Sequence, residues 1–192
     1  MTETSGFSDL GVVRNAVLDA AIRELAGKKI SNFTLEGVAA RAGVPLADVK
    51  DIWANTPDLL AASLRAYGER KLPIPDTGTL RGDLLAFAKS YAATVNTLEG
   101  RRVLDSLIVR PTDWEMPGPR TTFMESRVSR IGVIIARAVE RNECAPDTDA
   151  ARFIDQLGFG LCLPVLWYDR PVTDEDCEYV VDLLLKGLTP RE

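Results

Sequence analysis

Twelve residues, Pro45 to Thr56 (PLADVKDIWANT), hold the side chains best placed for chemistry. Val49, Ile52 and Trp53 give this stretch one apolar helical face, which leaves Asp48, Lys50 and Asp51 on the other side. Polar groups on a short, apolar-backed helix can read base edges in DNA. A carboxylate such as Asp48 or Asp51 can accept from cytosine N4, and a cation such as Lys50 can neutralise phosphate. Asp48 can equally do no more than stabilise the positive end of its own helix. Lys28, Lys29, Arg41 and Lys50 are the bases best suited to backbone phosphates, although each can also be a solvated surface charge.

Enzymatic chemistry has little to work with. The chain has no histidine, which removes the commonest general base and the histidine-activated nucleophiles. Cys144, Cys162 and Cys177 are widely spaced and odd in number, so they form neither a C-x-x-C pair nor a zinc pattern. Reduced thiols of a cytoplasmic protein are the expected reading. A redox-sensing cysteine is the alternative, and it needs an electropositive, exposed setting. Glu140 and Glu143 share a helical face at i, i+3. Paired carboxylates can do acid–base work, but at this spacing they are also an ordinary solvated face. No metal and no cofactor are expected, and a non-enzyme is favoured.

The elements around Pro45–Thr56 read as helix, tight turn, helix. Thr34 can cap a helix carrying Val38, Ala39 and Ala42, with Phe33 and Val38 at the positions of a hydrophobic staple. Gly43 follows where the chain must turn, because glycine takes positive φ without steric cost. Pro45 suits the start of the next helix. Thr56-Pro57-Asp58 signals a third start, with Thr56 as cap. Upstream, Arg14 to Leu25 places Val17, Leu18, Ala21, Ile22 and Leu25 on one face. This is the layout of a helix-turn-helix, whose second helix can enter a major groove.

Arg14-x-x-Val17-Leu18-Asp19-Ala20-Ala21, then Thr34-Leu35-x-x-Val38-Ala39-x-x-Ala42-Gly43-Val44, then Trp53 and Asp58-Leu59-Leu60, resemble the TetR family of bacterial transcriptional repressors. By motif the resemblance covers roughly residues 10 to 65. It implies an all-α, TetR-like fold: a flexible tail (1–8), a three-helix DNA-binding domain with the helix-turn-helix (9–55) and a larger helical ligand-binding and dimerisation body (56–192). It places DNA contacts at Lys28, Thr34, Arg41, Pro45, Leu46, Ala47, Lys50, Asn55 and Thr56. The chain departs from the family near Pro45 (usually Ser or Thr), Asp48 (Thr), Lys50 (Tyr) and Thr56 (Lys), and several of those family residues contact phosphates. Residues 1–60 hold six bases and eight acids, a net −2, whereas a DNA reader normally presents a positive face.

The 192 residues carry a net charge of −5 and are 46% hydrophobic. A folded chain with no global attraction to nucleic acid or anionic membrane is expected. The N-terminal MTETSGFSDL has no basic-then-apolar run, so it reads as a mobile tail rather than a signal peptide. The longest apolar run, Leu157 to Tyr168, is 12 residues, short of the roughly 20 a membrane helix needs.

The body reads as helix throughout. A third helix over 57–72 ends at Pro73-x-Pro75, one follows from Leu80 to Tyr91, and a shorter one spans 100–110. Residues 111–119 (PTDWEMPGP) read as loop, and helix resumes near Arg120. Asp147 or Thr148 is expected to cap the next helix, with Pro164 kinking it. Thr173-x-x-Asp176 opens the last helix as a capping box, and Gly187 closes it.

The resemblance further implies a homodimer through the last two helices, roughly 149–169 and 174–187, and a small apolar effector held in the body. Candidate pocket walls are Phe87, Tyr91, Trp114, Phe123, Phe153, Phe159 and Tyr168. Each aromatic is also a natural core residue. The expected function is a repressor released from a palindromic operator by its ligand. The rival is a TetR-shaped ligand-binding or interaction protein with weak or lost DNA binding.

Overall fold

In the computed structural model the described residues are 5–27, 32–108 and 118–187, and side chains are described from residue 11 except at 108 and 118–124. Among them the chain is helical with no strand. The helices are α1 (Ser5–Gly27), α2 (Leu35–Ala42), α3 (Leu46–Ile52), α4 (Thr56–Lys71), α5 (Leu80–Val95), α6 (Leu98–Ile108), α7 (Gly118–Glu140), α8 (Ala150–Trp167) and α9 (Asp174–Gly187).

Local chemistry explains most of the ends. Thr34 Oγ1 accepts from the Gly37 N–H at 3.0 Å and starts α2. Gly43 ends it at φ 70°, ψ 30°, donating its N–H to Ala39 O. At α9 the capping box closes from both sides: Asp176 N donates to Thr173 Oγ1 (3.1 Å), and Thr173 N donates to Asp176 Oδ2 (2.8 Å).

Two expected caps move by one or two residues. Asn55, not Thr56, caps α4, its Oδ1 accepting from Asp58 N at 2.9 Å. Asparagine is among the strongest caps, and Pro57 then lies in the first turn, where a missing N–H costs nothing. Asp149, rather than Asp147 or Thr148, caps α8 through Arg152 N at 3.1 Å. The Thr148 hydroxyl instead donates back to Ala145 O.

Helix α1 begins at Ser5, inside the segment read as a tail. Residues 5–10 contain no proline, and extending a formed helix is far easier than nucleating one. Helix α7 begins at Gly118 with Pro119 in its first turn. The rest of the expected loop, 111–117, lies outside the described residues.

The chain divides into two compact units, Met1–Tyr67 with Arg102–Phe123, and Gly68–Arg101 with Met124–Glu192. The division falls inside α4, α6 and α7 rather than between residues 55 and 56. In the first unit, α1 packs on α2 and α2 on α3. Val17, Ile22, Phe33, Val38, Val49, Trp53, Leu59 and Leu64 form its core, joined by Val103. The burial of Leu59, Leu60, Leu64 and Tyr67 there is why the unit runs past residue 55. Arg14 lies over the Trp53 ring, 5.8 Å from its centroid. Arg102 Nη1 donates to Ala26 O at 2.6 Å, satisfying a carbonyl at the end of α1.

In the second unit α5, α8 and α9 pack on one another, burying Leu84, Phe87, Ile154, Leu157, Leu161 and Val181. Val180 reaches within 2.9 Å of where a Cβ on Gly160 would sit, so glycine permits the close approach of α9 to α8. Asn96 ties the end of α5 to the α8–α9 connection, donating to Val172 O and accepting from Val172 N. Fully buried Asp83 accepts from Thr77 N and Thr77 Oγ1 and faces Arg141 Nη2 at 3.3 Å. Arg141 also pairs with Glu143, whose other oxygen accepts from Leu80 N. Bonding to Leu80 N first, then to Arg141, holds the Glu143 carboxyl below its ordinary range. Glu143 is thus part of the pin between the start of α5 and the turn after α7.

Candidate nucleic-acid interface and effector-binding body

Val49 is fully buried and fixes which way α3 faces. Pro45, Ala47, Asp48, Lys50 and Asp51 are consequently exposed, and Leu46 is half-buried. Pro45 sits at the N-cap of α3 rather than inside it, and its carbonyl accepts from Asp48 N and Val49 N. Thr34 and Asn55 are exposed caps of α2 and α4, and Thr56 is half-buried at the first position of α4. Lys28 and Lys29 lie outside the described residues.

Both described cations of the candidate set have carboxylates beside them. Lys50 Nζ lies 3.8 Å from Glu36 Oε1, with both side chains more than half exposed. Such a pair is weak and easily exchanged for another partner. Arg41 is held far more firmly: its Nε–H donates to Glu24 Oε2 at 2.7 Å, and Glu24 is 2% exposed. The sequence carried a signal for this pair. Glu24 falls three residues after Ala21 and seven after Val17, on the buried stripe of α1, where a charge requires a partner.

The candidate effector residues separate into groups. Phe87 and Phe153 are buried in the second unit. Tyr91 is half-buried in α5. Burial pushes its hydroxyl well above the ordinary tyrosine pKa; nearby Cys162 adds to this and Arg127 opposes it. Arg127, from α7, lies over Gly158 of α8. A Cβ there would stand 3.3 Å from Arg127 Cζ and nearer still to Nη2. Tyr91, Arg127 and Cys162 therefore lie near one another, with Arg127 over Gly158, a grouping that helical periodicity did not reveal. Trp114 and the side chain of Phe123 lie outside the described residues.

Phe159 and Tyr168 do not line an interior. They are 68% and 67% exposed, and a pocket wall must be shielded from bulk water. Phe159, Leu163 and Trp167 recur every four residues along α8, and Tyr179 and Leu183 do the same on α9. All five are exposed, Trp167 by 79%. Rows of exposed apolar side chains like these are candidates for an interaction surface.

Two of the three thiols are poor nucleophiles. Cys162 and Cys177 are buried. Burial raises the pKa of Cys162, and burial followed by the Asp174 and Asp176 charges pushes Cys177 up to about 11. Among the described residues no group of three or more acids or cysteines could hold a metal ion. No described helix is long and apolar enough to cross a membrane.

The sequence pattern of the "Tetracyclin repressor-like, C-terminal domain" family matches residues 74–184, more than half of the chain. The chain belongs to the TetR family of transcriptional regulators. It is 28% identical over 174 residues to the HTH-type transcriptional regulator AqdR of Rhodococcus erythropolis, covering 91% of this chain and 84% of that one. The crystal structure of the TetR family transcription regulator SCO0332 matches at 30% identity and a TM-score of 0.67, over 93% of this chain and 99% of that one. The fold is also that of the multidrug binding protein EbrR complexed with ethidium (24% identity, TM-score 0.66, covering 93% and 99%). TetR regulators are not enzymes, so Glu140 and Glu143 need no catalytic role.

Proposed function

We propose that this TetR-family regulator is a homodimeric repressor that reads a near-palindromic operator with α3 and is released by a small, largely apolar effector. The observation that carries the DNA half is the orientation of α3. Val49 is buried beneath it, while Ala47, Asp48, Lys50 and Asp51 are turned outward. Lys28, Thr34, Pro45, Leu46, Asn55 and Thr56 complete the proposed footprint, with Arg41 behind it, bound to Glu24. The apolar face of α8 and α9 supports the dimer. A twofold axis would bring Phe159, Leu163, Trp167, Tyr179 and Leu183 of two copies together and space two readers for two half-sites.

The effector half rests on Tyr91 and Phe87, one turn apart on α5, with Phe153 of α8 in the same unit. Phe159 passes from the effector set to the dimer face, and Tyr168, exposed at the end of α8, leaves the effector set. EbrR was crystallised with ethidium, a cation. Arg127 beside Tyr91 disfavours a cation here and suits a ligand with a carbonyl or acidic group on an aromatic or aliphatic frame. The effector would act only through its difference in affinity for the DNA-bound and free forms.

The test is binding to the DNA just upstream of the protein's own gene across a salt series, with Lys50→Ala alongside. Sequence-specific binding that weakens with salt and with the substitution is expected. Binding no better than to random DNA at low salt would overturn the reading. It would instead favour a protein acting through its body alone, as the carboxylates beside Arg41 and Lys50 would then suggest. For the dimer, Phe159→Asp is expected to convert the protein to monomer in sedimentation; an unchanged mass would remove α8 from the interface.

A further inference from the structure

We infer that Glu24 is a positioning residue for DNA reading, and that Arg41 acts on DNA through Glu24 rather than through a phosphate. The inference rests on the proposed DNA-reading function and assigns a role within it. A carboxylate as buried as Glu24 is stable only with charged or hydrogen-bonded partners. One oxygen, Oε2, receives Arg41 Nε–H at 2.7 Å, from the last turn of α2. The other, Oε1, occupies space that a side chain on Gly37, in the first turn of α2, would fill: a Cβ there would stand 2.6 Å away.

Residues 37 and 41 are one turn apart on the same face of α2. One carboxylate on α1 therefore engages both ends of that face. Its charge also lies beside the positive end of α2, whose Gly37 N–H is already capped by Thr34. Arg41 Nη2 lies 3.8 Å from where a Cβ on Gly27 would be, so the guanidinium packs back onto the end of α1.

What α2 does, α3 must follow. Only Gly43, Val44 and Pro45 separate the two helices, and Gly43 N and Val44 N both donate to Ala39 O. A change in the seating of α2 on α1 is therefore passed to the helix that faces the groove. A phosphate contact and a positioning role leave different traces. A lost phosphate contact flattens the dependence of log K on log salt by about 0.9. A misplaced reader weakens binding at every salt concentration with the slope preserved.

The experiment measures binding of full-length wild type, Glu24→Gln, Arg41→Ala and the double variant to the upstream DNA at four salt concentrations. Hydrogen exchange of the α2 amides is followed in parallel. Each single variant is expected to weaken specific binding about tenfold with the wild-type salt slope, and the double variant to do no worse than either single, because coupled partners are not additive. Exchange at Val38 to Arg41 should quicken in Glu24→Gln while α9 is unaffected, which also shows that the variant remains folded. A slope reduced by about one in Arg41→Ala, with Glu24→Gln binding like wild type, would overturn the inference. So would unchanged α2 exchange in Glu24→Gln. Failure of wild type itself to bind DNA specifically would instead remove the proposed function, a separate outcome.

Discussion

Gly37→Ala sets two physical effects of similar size against each other. Alanine in a helix is favoured over glycine by about 1 kcal/mol, so the substitution should stabilise α2. Its Cβ would, however, stand 2.6 Å from Glu24 Oε1 and 3.2 Å from Thr34 Oγ1. A carboxylate at the end of a flexible side chain normally swings aside. This one is 2% exposed and bound by Arg41 at 2.7 Å. Displacing it costs a hydrogen bond to a charged group, about 1.5–3 kcal/mol. The net expectation is a loss of roughly 0.5–2 kcal/mol. For a chain of 192 residues each 1 kcal/mol moves the midpoint by roughly 2–4 °C. Thermal and urea unfolding followed by circular dichroism would read it. The decisive control is the same substitution in a Glu24→Ala background. There the closest obstruction is gone, Thr34 Oγ1 at 3.2 Å remains, and Gly37→Ala should raise stability by up to about 1 kcal/mol. If Gly37→Ala stabilises the otherwise wild-type chain, the Glu24 carboxylate is not pinned and the reasoning fails.

Asp176 accepts from Arg170 Nη1 and Nη2 at 2.6 and 2.8 Å and from Thr173. Arg170 first, then the Thr173 bonds, hold its carboxyl well below the ordinary range. A depressed carboxylate stabilises fully above the unfolded value, near ~3.9, and the contribution fades as pH falls from there. Asp176→Asn should therefore lower the melting temperature at pH 7, with the difference shrinking below about pH 4; a constant difference down to the acid limit would contradict this. Iodoacetamide should label Cys144 first in the native protein, because Cys162 and Cys177 are buried; mass spectrometry showing early modification of Cys177 would count against its protonated, enclosed state. Phe87 is 2% exposed, so Phe87→Ala should cost about 3–5 kcal/mol in urea unfolding. A loss below about 1 kcal/mol would mean that the ring borders open space rather than core.

Much of the fold was legible because helix ends are local. The cap of α2, its glycine stop and the capping box of α9 each depend on residues within four or five positions. The misplacements were local as well: Asn55 and Asp149 outcompeted neighbours of similar chemistry. The helix-turn-helix followed from the ordered string Thr34 to Asp58, in which Leu35, Val38, Ala39, Val49 and Trp53 face the same small core. The candidate site was less legible. Aromatics at helical spacing announce that a face is apolar without saying what lies against it, so Phe153 and Phe159 looked alike. One is buried, while the other is 68% exposed on the outer face of α8.

The sequence by itself determined the helical character of the described residues, the position of the helix-turn-helix, the outward set Asp48, Lys50 and Asp51, and membership of its family. Periodicity and capping encode these over one or two turns of helix. Tertiary structure decided the partners. Glu24 meets Arg41 across 17 residues, Arg127 settles over Gly158 near Tyr91, and two apolar stripes become neighbours because Val180 packs on Gly160. Such pairings exist only once helices are brought together. They rest on burial, which removes the water that would otherwise make each charge and ring indifferent to its neighbours.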